Sequence, residues 1–169
     1  LTMGLSPHET AFVKQYVRHT GRERLWLLAG DQTTMAAQTV LNAQERPISA
    51  VHNAIARFMR NGLRYIIFDT APSVGGIQER AIWTSDFVII PTSTEYLSTD
   101  SVRKIADTLL YLQKEKGWRG ALLGVLPTFF HDQLCEHRAS MADLRQGYGD
   151  QVLPPIQRST LLSECPGES

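Results

Sequence analysis

Three short apolar runs in this sequence each end in residues that could do chemistry. Residues 65–68 are followed by Asp69 and the stretch "DTAPSVGG", and two later runs end in "PTSTEY" and "PTFFHD". A carboxylate at the carboxyl end of a buried strand commonly holds Mg²⁺, often through water, and the ion bridges to phosphates. Gly75 and Gly76 would let the first loop move when a phosphate arrives. The pattern predicts a phosphate-binding edge; the alternative is that Asp69 caps the next helix.

The strands and helices that position these loops are predicted by the alternation of apolar runs with amphipathic segments along the sequence. The apolar runs predict buried strands at 24–30, 65–68, 87–93, 121–130 and 151–156. The segments between and before them predict helices, the first with an N-cap at Ser6 and an end at Gly21. This alternation predicts an α/β fold with a mostly parallel sheet and helices on both faces. Because the carboxyl ends of adjacent parallel strands meet at one crevice, we expect the three loops to form a single site.

The segment 98–117 is the clearest helix in the sequence, with Thr99 or Asp100 as its cap. Its predicted buried side consists of Val102, Ile105, Ala106, Leu109, Leu110 and Leu112. Histidines have no metal-ligand spacing beyond a loose grouping of His131, Asp132 and His137, and all five are predicted to lie on the surface.

Composition limits the class of protein but not its partners. The chain has 169 residues, of which 43% are hydrophobic and 20% charged, which predicts a folded domain with a core. The 17 basic and 17 acidic residues balance, so any nucleic-acid contact would need a local patch. Cys135 and Cys165 form no metal-spaced pair and are predicted to be reduced thiols of a cytoplasmic protein. No run is apolar for long enough to predict a membrane span.

Three ordered motifs resemble the ParA/Soj/MinD family of partition-type P-loop ATPases. The stretch "YIIFDTAPSVGG" with the later "SDFVIIPTSTEYLSTDSV" resembles the family's strand, Asp and Pro loop followed by a strand ending in "EY". "GVLPTFFHD" and "IQRSTLLSECPGES" resemble its segments "GVLPTMYD" and "IPRNVRLSEAPSHG". The resemblance covers residues 24–169 and implies a P-loop NTPase-like three-layer sandwich.

The resemblance also implies roles for individual residues. Asp69 matches the Asp that holds Mg²⁺ through water. The loop that senses the γ-phosphate corresponds to Thr70, Ala71, Pro72, Gly75 and Gly76. The segment near the adenine base corresponds to Thr128 and Phe129, and the loop that covers the base corresponds to Ile156, Gln157 and Arg158. The family binds DNA through scattered basic residues, which here could include Arg119, Arg138 and Arg145; each is also typical of a solvated helix surface.

This sequence departs from the family most clearly in lacking "KGGxGKT", the loop that binds phosphates with its backbone N–H groups and lysines. We therefore expect residues 1–169 to be a single nucleotide-binding domain that is incomplete at its amino-terminal end and inactive by itself. Gln157 stands where the family has Pro, which alters the surface available to adenine.

By resemblance, the intact protein is expected to bind ATP and Mg²⁺, to dimerise on nucleotide, and to segregate or position DNA or protein cargo with a ParB-like regulator. Its expected location is the cytoplasm, on the nucleoid if it binds DNA. The alternative from a different class is a ParA-like localisation or scaffold protein that does not hydrolyse ATP.

Overall fold

The computed structural model describes residues 16–30, 33–60, 63–70, 76–95 and 99–159. The chain divides into two compact units, Leu1–Thr84 and Ser85–Ser169. Among the described residues, no helix combines the length and the apolar character that crossing a membrane requires.

The first unit begins with an antiparallel hairpin of two short strands, β1 (Val17–His19) and β2 (Trp26–Leu28). The turn between them is fixed by the Thr20 hydroxyl, which donates to the Leu25 carbonyl, and by Gly21 at φ +80°, a left-handed conformation that glycine adopts without strain. The predicted helix is therefore wrong over residues 17–19, and its earlier part lies outside the described residues. The strand predicted within 24–30 is present, but its three residues are exposed rather than buried.

Three helices complete the first unit: α1 (Thr33–Ala43), α2 (Ala50–Arg60) and α3 (Ile77–Thr84). All three were predicted. The Arg80 guanidinium donates to the carbonyls of Gly76 and Arg46 at 2.9 and 2.8 Å, which ties α3 to the chain that precedes α2.

Residues 63–70, which end with Asp69 and Thr70, form neither a strand nor a helix. The side chains of Tyr65 and Ile67 are 80% and 91% exposed. The prediction of a strand buried on both faces is wrong for this segment. The apolar run specifies an extended chain, but burial requires a neighbouring strand, and the described residues supply none.

The second unit is built on the parallel pair β3 (Phe87–Ser93) and β4 (Ala121–Thr128). The helix α4 (Thr99–Lys116) connects them, and α5 (Cys135–Tyr148) follows β4. This strand–helix–strand order is the parallel α/β unit that the sequence predicts. The register pairs Ser93 with Thr128, so the two strands end side by side.

The core of the second unit lies along α4, whose side chains Val102, Leu109 and Leu112 are buried. Leu110 is 51% exposed, which corrects its predicted burial, since it points away from the stripe formed by the other three. After α4 the chain turns at Gly117, and the indole N–H of Trp118 donates to the Ser85 carbonyl at 2.8 Å.

The chain after α5 passes through a short 3-10 helix, Gly149–Gln151, and then runs beside β4. The N–H of Leu153 donates to the Val125 carbonyl at 2.9 Å and that of Ile156 to the Pro127 carbonyl at 2.8 Å. Single parallel bridges join Val125 to Val152 and Phe130 to Gln157. The predicted final strand is therefore an extended segment that runs parallel to β4 and forms only isolated bridges with it.

Candidate functional site

The ends of β3 and β4 are joined through the buried side chain of Thr94. Its N–H donates to the Thr128 carbonyl at 3.1 Å, and its hydroxyl lies 3.2 Å from the same oxygen. The Ser140 hydroxyl on α5 donates to the Thr94 carbonyl at 3.3 Å. Two strands and a helix are thus held together at the carboxyl end of the sheet, where α/β proteins place their ligands.

His137 completes this cluster from the first turn of α5 and is only 4% exposed. Its Nδ1 atom accepts a hydrogen bond from the His131 N–H at 3.1 Å and lies 3.0 Å from the Thr94 hydroxyl oxygen. Because a protonated Nδ1 could not accept from that N–H, the ring proton of the neutral form is assigned to Nε2. The prediction that every histidine lies on the surface is wrong for His137.

The predicted adenine segment and the predicted covering loop are brought together by the fold. The Phe130 N–H donates to the Ile156 carbonyl and the Arg158 N–H donates to the Phe130 carbonyl, both at 3.0 Å. Phe129, between the strand end and this pairing, has φ +55° and is half exposed. A left-handed conformation at a bulky residue is strained, and such strain is commonly found at binding sites.

An ion pair also connects the carboxyl end of β3 to the segment 156–158. A guanidinium nitrogen of Arg158 lies 2.5 Å from a carboxylate oxygen of Glu95, one residue beyond Thr94. The Arg158 side chain is largely exposed, so the charge attraction alone contributes little. Together with the backbone bonds, it fixes the direction of the chain at 156–158.

The predicted phosphate-side residues are only partly described. Asp69 and Thr70 are both exposed at the end of the extended segment 63–70, in the first unit. Gly76 has φ +58°, which suits glycine. Ala71, Pro72 and Gly75 lie outside the described residues. The expectation that all three loops share one crevice stays a prediction for the Asp69 loop, whereas the loops after β3 and β4 do meet.

Asp69 is the carboxylate that the family resemblance matches to the Mg²⁺ site. No group of three His, Cys, Asp or Glu side chains suited to a metal is present within the described part of the chain. A single exposed carboxylate fits Mg²⁺, which keeps several waters and binds through one or two carboxylates and phosphate oxygens. It does not fit a metal such as structural zinc that requires a complete protein cage.

The three arginines proposed for DNA contact do not lie on one element. Arg119 is exposed between α4 and β4, whereas Arg138 and Arg145 lie on α5. Arg138 donates to the Asp132 carbonyl and to the Cys135 sulfur, both at 3.1 Å. Cys135 is a free thiol, as predicted, and is exposed. Cys165 lies outside the described residues.

Sequence reasoning missed Thr94, His137 and Glu95 as parts of the site. Thr94 and Glu95 lie within "PTSTEY", whose position predicts a site loop but whose residue types do not distinguish the roles of its members. The available signal was position, since both follow the carboxyl end of the predicted strand 87–93. His137 gave no such signal, because its partner Thr94 is 43 residues away.

Comparison with known families gives a match over most of the chain. A family described as an AAA domain matches residues 3–119, more than half of the sequence. An uncharacterized protein of Pseudomonas putida is 27% identical over 159 residues, which are 94% of this chain and 59% of that protein. The sporulation initiation inhibitor protein Soj of Bacillus subtilis is 29% identical over 103 residues, 60% of this chain and 41% of its own length.

Solved structures show the same fold at lower sequence identity. Cobyrinic acid a,c-diamide synthase from Mycobacterium smegmatis, with an ATP analog and magnesium bound, superimposes with a TM-score of 0.78 at 23% identity. The match covers 92% of this chain and 63% of that one. The chain thus has an α/β fold of the P-loop ATPase type and spans less than two thirds of the length of these relatives.

Proposed function

Because the chain belongs to the ParA/MinD-type family of P-loop ATPases, we propose that it works as part of an ATPase that binds ATP and Mg²⁺, dimerises on nucleotide and positions cargo. The proposed cargo is DNA or a protein assembly. The proposed partners are a second copy of the chain, non-specific DNA and a ParB-like regulator.

The observation that carries this proposal is the pairing of segment 128–130 with segment 156–158 at the carboxyl end of β4. Two backbone hydrogen bonds of 3.0 Å align them, and the Glu95–Arg158 ion pair holds the second segment from the side. The exposed ring of Phe129 and the exposed side chain of Gln157 project from this pairing. An aromatic ring beside an amide provides a stacking surface and hydrogen-bonding groups for a planar base.

For the part of the site that would contact the phosphates, we propose that the Asp69 carboxylate holds Mg²⁺ through a bound water molecule. The carboxylate is exposed and acceptor-only, as this role requires. When bound, the ion neutralises charge on the phosphates. Gly76 would accommodate the backbone turn of the loop that responds to the γ-phosphate, since its φ of +58° is accessible to glycine without strain.

The test is a nucleotide-binding titration of the protein at its natural length, with a fluorescent ATP analogue in the presence and absence of Mg²⁺. We expect Asp69→Ala to remove the dependence of affinity on Mg²⁺ and to abolish nucleotide-driven dimerisation, measured by light scattering. Because Asp69 is exposed, its removal leaves no buried group unpaired, and the fold should persist by circular dichroism.

A matched control is Asp86→Ala, which removes an exposed carboxylate just before β3, at the opposite end of that strand. This variant should bind nucleotide and Mg²⁺ as the unmodified protein does. Retention of Mg²⁺-dependent binding and dimerisation in Asp69→Ala, or an equal loss in Asp86→Ala, would contradict the assignment.

A further inference from the structure

A groove on α5 adjoins the paired segments 128–130 and 156–158 that form the proposed base site, with Phe130 as a shared residue. Its cavity volume is about 270 Å³. The residues that line this α5 groove are Phe130, Arg138, Met141, Ala142, Arg145 and Pro155. Four of the six are apolar and two are cationic, so the groove combines a surface for an apolar side chain with two positive charges.

The charges of α5 are segregated around the helix. Arg138 and Arg145 are seven residues apart, nearly two full turns, and therefore lie on one side. Glu136 and Asp143 are also seven residues apart, but each lies two residues before one of the arginines. Two residues correspond to about 200° around the helix axis, so the two acidic side chains lie on the opposite side of the helix. The groove side of the helix is consequently purely cationic, although the whole chain has a formal net charge of zero.

The two arginines differ in how firmly they are held. Arg138 is oriented by hydrogen bonds to the Asp132 carbonyl and the Cys135 sulfur, which leave other guanidinium N–H groups for a ligand. The Arg145 guanidinium has no hydrogen-bond or ion-pair partner within the described part of the chain, whereas the backbone carbonyl of Arg145 accepts from the Gly149 N–H. One cation is thus preorganised, and the other can adjust to an anion.

We propose that the α5 groove binds an extended acidic peptide segment of a partner protein. Arg138 and Arg145 are about 10.5 Å apart along the helix axis. In a polyproline II chain, which advances about 3.1 Å per residue, residues three apart share one face and are about 9.3 Å apart. Two carboxylates with this spacing match the two arginines, and an apolar side chain between them, rotated by about 120° from the carboxylates, reaches the apolar wall formed by Phe130 and Pro155.

The apolar lining favours a peptide over duplex DNA as the occupant. A DNA backbone presents phosphates and sugars and has no apolar side chain to fill a cavity lined by Phe130, Met141 and Pro155. Two phosphate contacts would also give only weak binding, because DNA affinity grows with the number of charges neutralised. A peptide uses both the charges and the cavity.

The test measures fluorescence anisotropy of a labelled decapeptide with the core Glu-Pro-Leu-Glu, titrated with the protein at its natural length. We expect binding to weaken about tenfold in Arg145→Gln, since a charge-assisted hydrogen bond is lost. The Arg145 guanidinium has no partner to lose among the described residues, so this variant should fold normally. Arg138→Gln should weaken binding similarly, and peptides with the core Gln-Pro-Leu-Gln or Glu-Pro-Ser-Glu should bind less well.

Arg119→Gln is the matched control, because it removes the same charge from an exposed position outside the groove. Unchanged peptide binding in this variant supports the assignment. The proposal is overturned if the decapeptide does not bind, if the Gln-Pro-Leu-Gln peptide binds equally well, or if Arg119→Gln weakens binding as much as Arg145→Gln. It is also overturned if a short duplex DNA displaces the peptide and loses affinity in all three arginine variants, which would identify a nucleic-acid surface.

Discussion

Replacing Thr94 by Val removes one hydroxyl from the centre of the strand-end cluster and keeps the branched shape of the side chain. The hydroxyl oxygen lies 3.2 Å from the Thr128 carbonyl and 3.0 Å from His137 Nδ1, both of which are acceptors. A hydroxyl carries a single proton, so it donates to only one of these atoms at a time. The substitution therefore removes one donated hydrogen bond.

The expected loss of stability follows from what the two acceptors retain. The Thr128 carbonyl keeps the Thr94 N–H at 3.1 Å, and His137 Nδ1 keeps the His131 N–H, also at 3.1 Å. Neither is left unsatisfied, so the penalty of about 1–3 kcal/mol for an orphaned buried group does not apply. We expect the free energy of unfolding to fall by about 1 kcal/mol, the net value of one hydrogen bond.

Urea denaturation followed by circular dichroism measures this difference. The matched control is Thr108→Val on α4, whose hydroxyl donates to the Lys104 carbonyl within the helix at an exposed position. We expect that control to change stability by less than about 0.5 kcal/mol, as surface substitutions do. Equal stability of Thr94→Val and the unmodified protein would refute the role given to the hydroxyl, and so would a loss above about 3 kcal/mol, the range for an orphaned group.

Four further substitutions test the packing and the ionisation of the second unit. Gly124→Ala should lower the melting temperature, because a Cβ at this position would lie 2.7 Å from a backbone carbonyl oxygen. Gly147→Ala should instead raise the free energy of unfolding by about 0.5–1 kcal/mol, because a Cβ at residue 147 would have no atom within 4 Å and alanine favours the helix. Leu112→Ala should cost about 2–5 kcal/mol in urea denaturation, since this side chain is fully buried. Burial of the Tyr148 side chain and, as the smaller cause, the negative charge of Asp107 raise the pKa of Tyr148 above 10.0. The folded state therefore keeps the hydroxyl proton to a higher pH than the unfolded state does. Stability should therefore decline as the pH rises above 10, and Tyr148→Phe should flatten that decline in denaturation curves recorded across this range.

The elements that the sequence predicts correctly are those specified by local patterns. The strand at 87–93 has the predicted bounds, and α4 lies within the predicted segment 98–117 and buries Val102, Leu109 and Leu112 of its predicted apolar side. In both cases the sequence neighbours alone determine which face is apolar. The same reasoning found the strand ends that form the candidate site.

The elements that the sequence predicts incorrectly depend on distant partners. Val17–His19 forms a strand because it pairs with Trp26–Leu28, and that pairing overrides the helical spacing of its apolar residues. His137 is buried because Thr94 lies beside it, and no local pattern reports a contact across 43 residues. The exposure of Ile67 has the same origin, since an apolar run is buried only where another strand covers it.

The hydrogen bond of Trp118 to Ser85 has a spectroscopic consequence. The chain has three tryptophans, and Trp118, buried in the second unit, is the only one of them after Thr84. Trp26 and Trp83 belong to the first unit, so replacing both by phenylalanine leaves Trp118, between α4 and β4, as the single tryptophan. Its emission should shift to the red only when the second unit opens, which allows the unfolding of that unit to be followed without an added label.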